Sequence, residues 1–148
     1  MAPLGGSASW SWHGYRDSVL DQGGRRLPVV SGGAHWGGGL WMSAADLALI
    51  GQLYLAGGQH NGVRVVSQDW VTRSWQPCDV RPDYGYLWWL NDAGTVFAAA
   101  PRTGRAARGN AGRHLLWVDP ARDLVIVSHW GEQVQSLLAE VSAACSPR

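Results

Sequence analysis

The chain has 148 residues, 46% of them hydrophobic and 16% charged, which suits one folded domain and excludes a disordered chain. The formal net charge is +1, and all twelve of the basic Lys and Arg positions are arginine. Because nucleic-acid binding needs a clustered basic face, we expect no nucleic-acid partner from four spaced arginines, Arg102, Arg105, Arg108 and Arg113.

The first helix signal follows a loop-like stretch, residues 1–39, in which Gly, Ser and Pro recur and apolar runs are short. Ser43 can cap a helix, and Asp46 follows three residues later, close to a capping-box pattern. Apolar residues at helical spacing come next, Leu47, Ile50 and Tyr54. The pair Gly57-Gly58 predicts the end of this helix.

A second, shorter helix is predicted after a turn at Asn61-Gly62 and a short segment over residues 63–66. Ser67 can cap this helix, and Asp69 places an acid in its first turn, where the helix dipole favours it. Pro77 predicts its end.

The second half of the chain is typical of an antiparallel sheet. The aromatic run over residues 84–90 predicts a strand, residues 95–100 its returning strand, and residues 101–111 a loop. A hairpin and a closing helix follow, with strands over residues 113–118 and 124–130 and the helix over 133–144. We therefore predict an α+β fold: an antiparallel sheet with a C-terminal covering helix and two upstream helices.

The ten tryptophans can be interpreted in two ways. They can build a tryptophan-rich core, or they can form a surface that stacks on sugars or other ligands, for which the candidates are Trp36, Trp41, Trp88 and Trp89. The two cysteines, Cys78 and Cys145, can form one disulfide or remain free thiols. No apolar run reaches the length of a membrane span, and the first residues do not resemble a signal peptide.

The glycine-rich stretch over residues 31–39 raises the question of a phosphate site. A P-loop needs a lysine, and the chain has none; the glycine spacing also differs from that of a dinucleotide-binding loop. The five histidines are scattered, without the spacing of a metal site. We therefore expect no nucleotide, metal or other cofactor.

Local motifs for a nucleophilic serine are absent from the sequence. GxSxG does not occur, SxxK cannot occur without lysine, and none of the four tyrosines begins a YxN motif. A Ser-His-Asp triad or a carboxylate pair assembled in space stays open. We therefore assign no catalytic residue to this chain.

Three stretches together resemble one family. They are GGAHWGGGLWMSAADLALIGQLYLAGGQHNGVRVVSQDWV, DYGYLWWLN and GNAGRHLLWVDPARDLVIV, in that order along the chain. All three resemble segments of the penicillin-recognising serine hydrolases, the group related to class C β-lactamases. The stretch WSWHGY also resembles a region upstream of the glycine loop in some members, so the resemblance covers roughly residues 9–144.

The resemblance implies hydrolysis of amide or ester bonds through an acyl-serine. In the family, the lysine of SxxK and the tyrosine of YxN move protons, and a third motif lies on the strand that edges the site. That third motif falls here on Asn110, Ala111 and Gly112, which we expect to contact substrate together with His35 and Trp36. The alternative is that residues 109–112 are only a turn that enters a strand.

The family's SxxK and YxN lie upstream of every stretch matched here. Residues 1–148 therefore resemble the C-terminal part of a catalytic domain, which would take a small-molecule amide or ester substrate once completed. An open sheet edge predicts a tendency to self-associate. Two other readings remain: a non-catalytic, tryptophan-rich binding module, and a remnant without function.

Overall fold

The computed structural model describes residues 1–13, 19–28 and 39–147. Three α-helices lie in this part of the chain: α1 (Ala44–Leu55), α2 (Gln68–Ser74) and α3 (Val134–Ala144). They accompany antiparallel sheets, so the predicted α+β class, with two upstream helices and a C-terminal one, is confirmed. None of the helices in these ranges is long and apolar enough to cross a membrane.

The main sheet has four strands in the spatial order β10-β9-β8-β7, and every neighbouring pair is antiparallel. The strands are β7 (Trp89–Leu90), β8 (Arg105–Gly109), β9 (His114–Asp119) and β10 (Leu124–Ser128). Trp117 of β9 lies opposite Ala106 on one side and Ile126 on the other. The predicted hairpin of β9 and β10 is therefore confirmed.

Within residues 11–28 and 40–64, the described residues contain six short strands, which form three separate two-stranded ladders. Strand β1 (Ser11–Trp12) pairs with β4 (Leu40–Trp41), and β2 (Val19–Gln22) pairs with β3 (Arg25–Pro28). Strand β5 (Gln59–His60) pairs with β6 (Val63–Arg64) between α1 and α2. Several large side chains of these ladders are exposed.

Strand β9 divides the core into two layers, because its residues alternate between the two faces of the sheet. One face joins α3, through Leu138, to a cluster of Phe97, Ala106, Leu115, Trp117 and Ile126. The opposite face packs Leu47, Ile50 and Tyr54 of α1 against Trp88, Leu90, Leu116 and Val118. Both faces of β9 are thus covered, and five of its six residues are buried.

Serine caps begin the first two helices, as predicted. Ser43 Oγ accepts a hydrogen bond from the Asp46 amide at 3.0 Å, and Ser67 Oγ accepts one from the Trp70 amide at 3.1 Å. The Asp46 carboxylate also accepts from Ser7, both from its amide at 2.8 Å and from its hydroxyl at 2.6 Å. These Ser7 hydrogen bonds favour the ionised carboxylate and lower the pKa of Asp46.

The aromatic run over residues 84–90 is not one strand, which corrects the prediction. Only Trp89 and Leu90 belong to β7, and Tyr84 folds back to form an isolated bridge with Trp89. Leu87 takes a φ of 65°, in the left-handed region, so the chain turns there. A Cβ atom at Gly85 would collide with the carbonyl oxygen of Ser74, so this turn packs directly against the end of α2.

The strand that returns to β7 is also misplaced in the sequence prediction. Residues 95–100 form turns, and the partner of β7 is β8, which lies in the stretch predicted as loop. The buried Asn91 side chain donates to the carbonyl oxygens of Phe97, Ala100 and Pro101, holding this segment as a loop. These carbonyl oxygens therefore accept hydrogen bonds from a side chain and not from a neighbouring strand.

Candidate functional site

The residues predicted as the third motif form the turn between β8 and β9. Asn110, Ala111 and Gly112 make a single 3-10 turn, with φ values of 49°, 57° and 87°. All three values lie in the left-handed region, which costs free energy for a residue that carries a Cβ atom. The resemblance places this motif on a strand, whereas in the structure the strand ends one residue earlier, at Gly109.

This turn forms one wall of an open cleft of about 360 Å³, which we call the turn cleft. The second wall is the chain that enters α3. The cleft is lined by Arg108, Ala111, Gly112, Arg113 and residues 131–135. The Gly131 amide donates to the Arg113 carbonyl oxygen at 2.9 Å and fixes the two walls to each other.

Arg108 is held in place by aromatic rings. Its guanidinium carbon lies 5.5 Å from the ring centroid of Trp89 and 5.5 Å from that of Phe97. A Cβ atom at position 112 would lie 2.5 Å from an Arg108 nitrogen, so Gly112 lets the turn pass close to the guanidinium.

The turn cleft favours ligands that carry acceptor oxygens. Its described lining includes two arginines, Arg108 and Arg113, and one acidic residue, Glu132, so it carries an excess of positive charge. The start of α3 adds backbone amides, because its N-cap residue, Gln133, makes no side-chain cap. Among the described residues, the lining has no serine or cysteine, so these residues supply no nucleophile.

A histidine pair lies at the same end of β9. The ring centroids of His114 and His129 are 5.2 Å apart, and Trp130 covers His114 at 4.5 Å. Burial, and then the charge of His129, lower the pKa of His114. Along the sequence these histidines are scattered, and their spacing does not predict a pair. The register of the β9–β10 hairpin could have predicted that the two histidines lie close together. Leu115 pairs with Ser128, and His114 and His129 are the neighbours of these two residues in the chain.

The chain is similar to a known hydrolase. It is 31% identical over 132 aligned residues to 6-aminohexanoate-dimer hydrolase of Paenarthrobacter ureafaciens, with 72% of this chain aligned. The chain spans about a third of the length of this curated relative, since the match covers 31% of it. No protein-family model matches the chain. The relative belongs to the family that the three sequence stretches resemble.

Two residues predicted to contact substrate, His35 and Trp36, lie outside the described residues. Of the other three residues predicted to contact substrate, Ala111 and Gly112 line the turn cleft, and Asn110 belongs to the same turn. Within the described ranges, no group of three or more His, Cys, Asp or Glu side chains could hold a metal ion.

The tryptophans predicted as a stacking surface do not share one environment. Trp88 is 4% exposed and belongs to the core, so its inclusion in that surface was wrong. Trp89 is half-buried under Arg81 and Arg108, whereas Trp41 is 65% exposed. The tryptophan-rich core and an exposed aromatic surface therefore coexist, in different residues.

One serine in the described residues contacts a histidine. Ser11 Oγ lies 2.8 Å from His13 Nε2 on the exposed β1–β4 ladder. A serine nucleophile needs a base and also preorganised donors in a site that excludes water. Exposure of this pair removes the second condition, so the contact alone does not make an acyl-transfer site. The cysteines are free thiols, and both are half-buried.

Proposed function

We propose that residues 1–148 are the C-terminal part of a β-lactamase-related serine hydrolase domain. The supporting observation is the similarity to 6-aminohexanoate-dimer hydrolase, which covers 72% of this chain but only 31% of that enzyme. The family's nucleophile motif, SxxK, cannot lie in a chain without lysine. An upstream part of the same domain would therefore supply the serine, the lysine and the tyrosine.

In the completed domain, the reaction is hydrolysis of an amide or ester. The serine hydroxyl attacks the carbonyl carbon as its proton passes to a base, and the tetrahedral intermediate expels the amine or alcohol, which takes up a proton. Water then attacks the acyl-serine and releases the acid. This chain would supply one wall of the substrate site, formed by Asn110, Ala111 and Gly112 together with His35 and Trp36.

A short linear amide with a terminal carboxylate is the substrate class we propose. The name of the relative points to 6-aminohexanoate dimer, which has one amide bond and one free carboxylate. The excess guanidinium charge of the turn cleft suits a ligand carboxylate, because planar guanidinium groups bind carboxylates with two parallel hydrogen bonds.

The decisive experiment compares the chain alone with a completed domain. Two completed domains are made: the chain extended upstream in its own reading frame, and the chain fused to the upstream two-thirds of the relative. Each is incubated with a fluorescent β-lactam and with an activated ester, and the intact mass is measured. We expect a serine adduct and turnover of 6-aminohexanoate dimer in a completed domain, and neither in the chain alone.

Two outcomes would contradict this proposal. One is a stoichiometric serine adduct on the chain by itself, since the nucleophile would then lie within residues 1–148. The other is an upstream reading frame without SxxK. A folded fusion that forms no adduct would leave the fragment proposal standing and would contradict only the role of the turn as part of the site.

Self-association is the second part of this proposal. In the part of the chain that the structure describes, strand β10 is an edge of the main sheet, and its sequence, LVIVS, contains no charge and no proline to prevent edge pairing. We expect the chain alone to form oligomers in sedimentation experiments. Ser128→Lys, at the end of β10 and outside both core clusters, should reduce them, because a lysine on an edge strand opposes pairing, and a monomeric wild-type chain would contradict this part.

A binding module is a second candidate, favoured by the exposed indoles of the β1–β4 ladder. Trp12 is 53% and Trp41 65% exposed, and His13 lies 4.5 Å from Trp41 between ring centroids. Exposed aromatic faces stack on sugar rings. Retention on a peptidoglycan resin that is lost in Trp41→Ala, but kept in Trp130→Ala, would favour this candidate.

A further inference from the structure

Arg108, near the end of β8, is a charged residue at the rim of the core. Ala106, two residues earlier on the same face of the strand, is fully buried in the cluster that contains Phe97. Arg108 itself is exposed, and its guanidinium carbon lies 5.5 Å from the ring centroids of both Phe97 and Trp89. The side chain therefore contacts the rim of the core and stays accessible from solvent.

Trp89 also contacts a second arginine, Arg81, whose guanidinium carbon lies 4.5 Å from the ring centroid. The two arginines differ in their partners. Arg81 Nε donates to Asp83 Oδ1 at 2.8 Å, so a carboxylate offsets its charge. Within the described ranges, no oxygen of an Asp or Glu side chain lies within 4.0 Å of a nitrogen of Arg108. The charge of Arg108 therefore has no carboxylate partner in this part of the chain.

The guanidinium of Arg108 lies against the turn that lines the turn cleft. Arg108 and Gly112 both belong to the lining. A Cβ atom at position 112 would lie 2.5 Å from Arg108 Nη2, so this nitrogen is directly beside the turn. Gly112 takes a φ of 87°, which glycine adopts without strain. The absence of a side chain at Gly112 thus leaves room for the guanidinium at the wall of the cleft.

These features together suit a carboxylate ligand. A planar guanidinium binds a carboxylate through two parallel N–H···O hydrogen bonds, and it is less strongly hydrated than an ammonium group. Contacts with the rings of Trp89 and Phe97 restrict Arg108 before a ligand arrives, which reduces the entropy that binding costs. A neutral amide offers one acceptor oxygen and no charge, and an ammonium group offers neither.

We propose that Arg108 determines the specificity of the turn cleft for linear ligands with a free carboxylate. Its guanidinium binds the carboxylate, and the rings of Trp89 and Phe97 hold the guanidinium in place. This inference rests on the proposed function for its choice of substrate, and it adds the residue that selects the carboxylate. Binding needs no nucleophile, so the chain alone already binds a carboxylate.

The first test is saturation-transfer NMR on the chain alone, which observes the ligand and works with oligomers as well as monomers. The three probes share a six-carbon skeleton: hexanoate has a carboxylate, hexanamide a neutral amide, and hexylamine an ammonium group. The ionic strength is kept constant, because salt screens exposed charges. We expect saturable binding of hexanoate, binding of hexanamide that is about tenfold weaker, and no binding of hexylamine.

Variants assign the binding to one side chain. Arg108→Lys keeps the charge but loses the planar pair of donors, so we expect about a tenfold loss of hexanoate affinity. Arg81→Lys is the matched control, because Arg81 contacts the same ring but lies outside the lining, and it should bind hexanoate normally. The preference of the wild-type chain for hexanoate needs no variant, so the proposal stays testable if Arg108→Lys does not fold.

The second test measures the specificity of a completed domain. Its two substrates are the 6-aminohexanoate dimer and the same molecule with its terminal carboxylate converted to a carboxamide. The ratio of the two kcat/KM values reports the preference for a free carboxylate. We expect Arg108→Lys to lower this ratio about tenfold and Arg81→Lys to leave it constant. A general loss of stability would lower both kcat/KM values and leave the ratio unchanged.

Three results would overturn the inference. They are hexanamide binding as tight as that of hexanoate, an unchanged hexanoate affinity in Arg108→Lys, and an equal loss in Arg81→Lys. The two proposals also fail separately. An active completed domain whose ratio is unchanged in Arg108→Lys contradicts this inference alone. A completed domain without activity contradicts the role of the turn in the reaction, whereas hexanoate binding by the chain alone still decides the role of Arg108.

Discussion

Asn91 and Phe97 exchange hydrogen bonds in both directions: Asn91 Nδ2 donates to the Phe97 carbonyl oxygen at 3.0 Å, and Asn91 Oδ1 accepts from the Phe97 amide at 2.9 Å. The same Nδ2 also lies within hydrogen-bond distance of two further carbonyl oxygens, Ala100 at 3.2 Å and Pro101 at 3.1 Å. One fully buried amide side chain thus fixes the loop that delivers Phe97 to the core.

We expect Asn91→Ala to lower the free energy of unfolding by about 2–4 kcal/mol, because several buried backbone groups lose their partner together. Asn91→Asp should be at least as damaging, since it replaces a donor with a buried negative charge. Chemical denaturation followed by near-ultraviolet circular dichroism measures both. Gln135→Ala is the control, because Gln135 makes one exposed hydrogen bond to the same loop; a loss as large as that of Asn91→Ala would contradict the assigned role.

The second prediction concerns the close approach of Gly104 to Trp117. A Cβ atom at position 104 would overlap the indole ring of Trp117, which is fully buried and cannot move aside. We expect Gly104→Ala to destabilise the fold by about 1–3 kcal/mol or more, as overpacking of a filled core does. Gly109→Ala, where a Cβ atom meets nothing within 4 Å, should be nearly neutral. Thermal unfolding of the two variants side by side checks the difference.

The sequence predicts the features whose causes are local. Ser43 caps α1 through an atom three residues away, and the turn over residues 120–123 joins two strands of strong β propensity. Such signals can be recognised without knowing what packs against them.

Strand β8 could not be recognised in this way. Its residues, RAARG, have low β propensity, and they form a strand because both β7 and β9 pair with them. Ala106 is small because Trp117 and Trp89 lie opposite it in the register. The turn cleft was missed for the same reason, since Arg108 is positioned by rings 19 and 11 residues away in the chain, Trp89 and Phe97.

The third prediction concerns pH. Burial lowers the pKa of His114 below its ordinary value of 6.5, so the unfolded chain binds a proton more readily than the folded one. The contribution of His114 to the free energy of unfolding is therefore constant above the unfolded pKa of 6.5. As the pH falls from 6.5 to the folded pKa, protonation of the unfolded chain lowers the stability of the fold. Below the folded pKa, the contribution of His114 is constant again. Melting temperatures from pH 8 to pH 5 should show this decline in the wild type and a smaller one in His114→Gln. His60→Gln, on the β5–β6 ladder, should keep the wild-type profile; an unchanged profile in His114→Gln would contradict the prediction.

The last prediction separates two roles for Ser43. Its hydroxyl accepts from the Asp46 amide at 3.0 Å, which makes it the cap of α1, and we expect Ser43→Ala to cost about 1 kcal/mol of stability. Ser43→Asp should restore most of that loss, because a carboxylate also caps and favours the helix N-terminus. Neither variant should change acyl-adduct formation by a completed domain. Ser67→Ala, which removes the cap of α2, is the matched control and should still be labelled. If a completed domain with Ser43→Ala folds but forms no adduct, Ser43 is the nucleophile. That result would contradict the proposal that the nucleophilic serine lies in an upstream part.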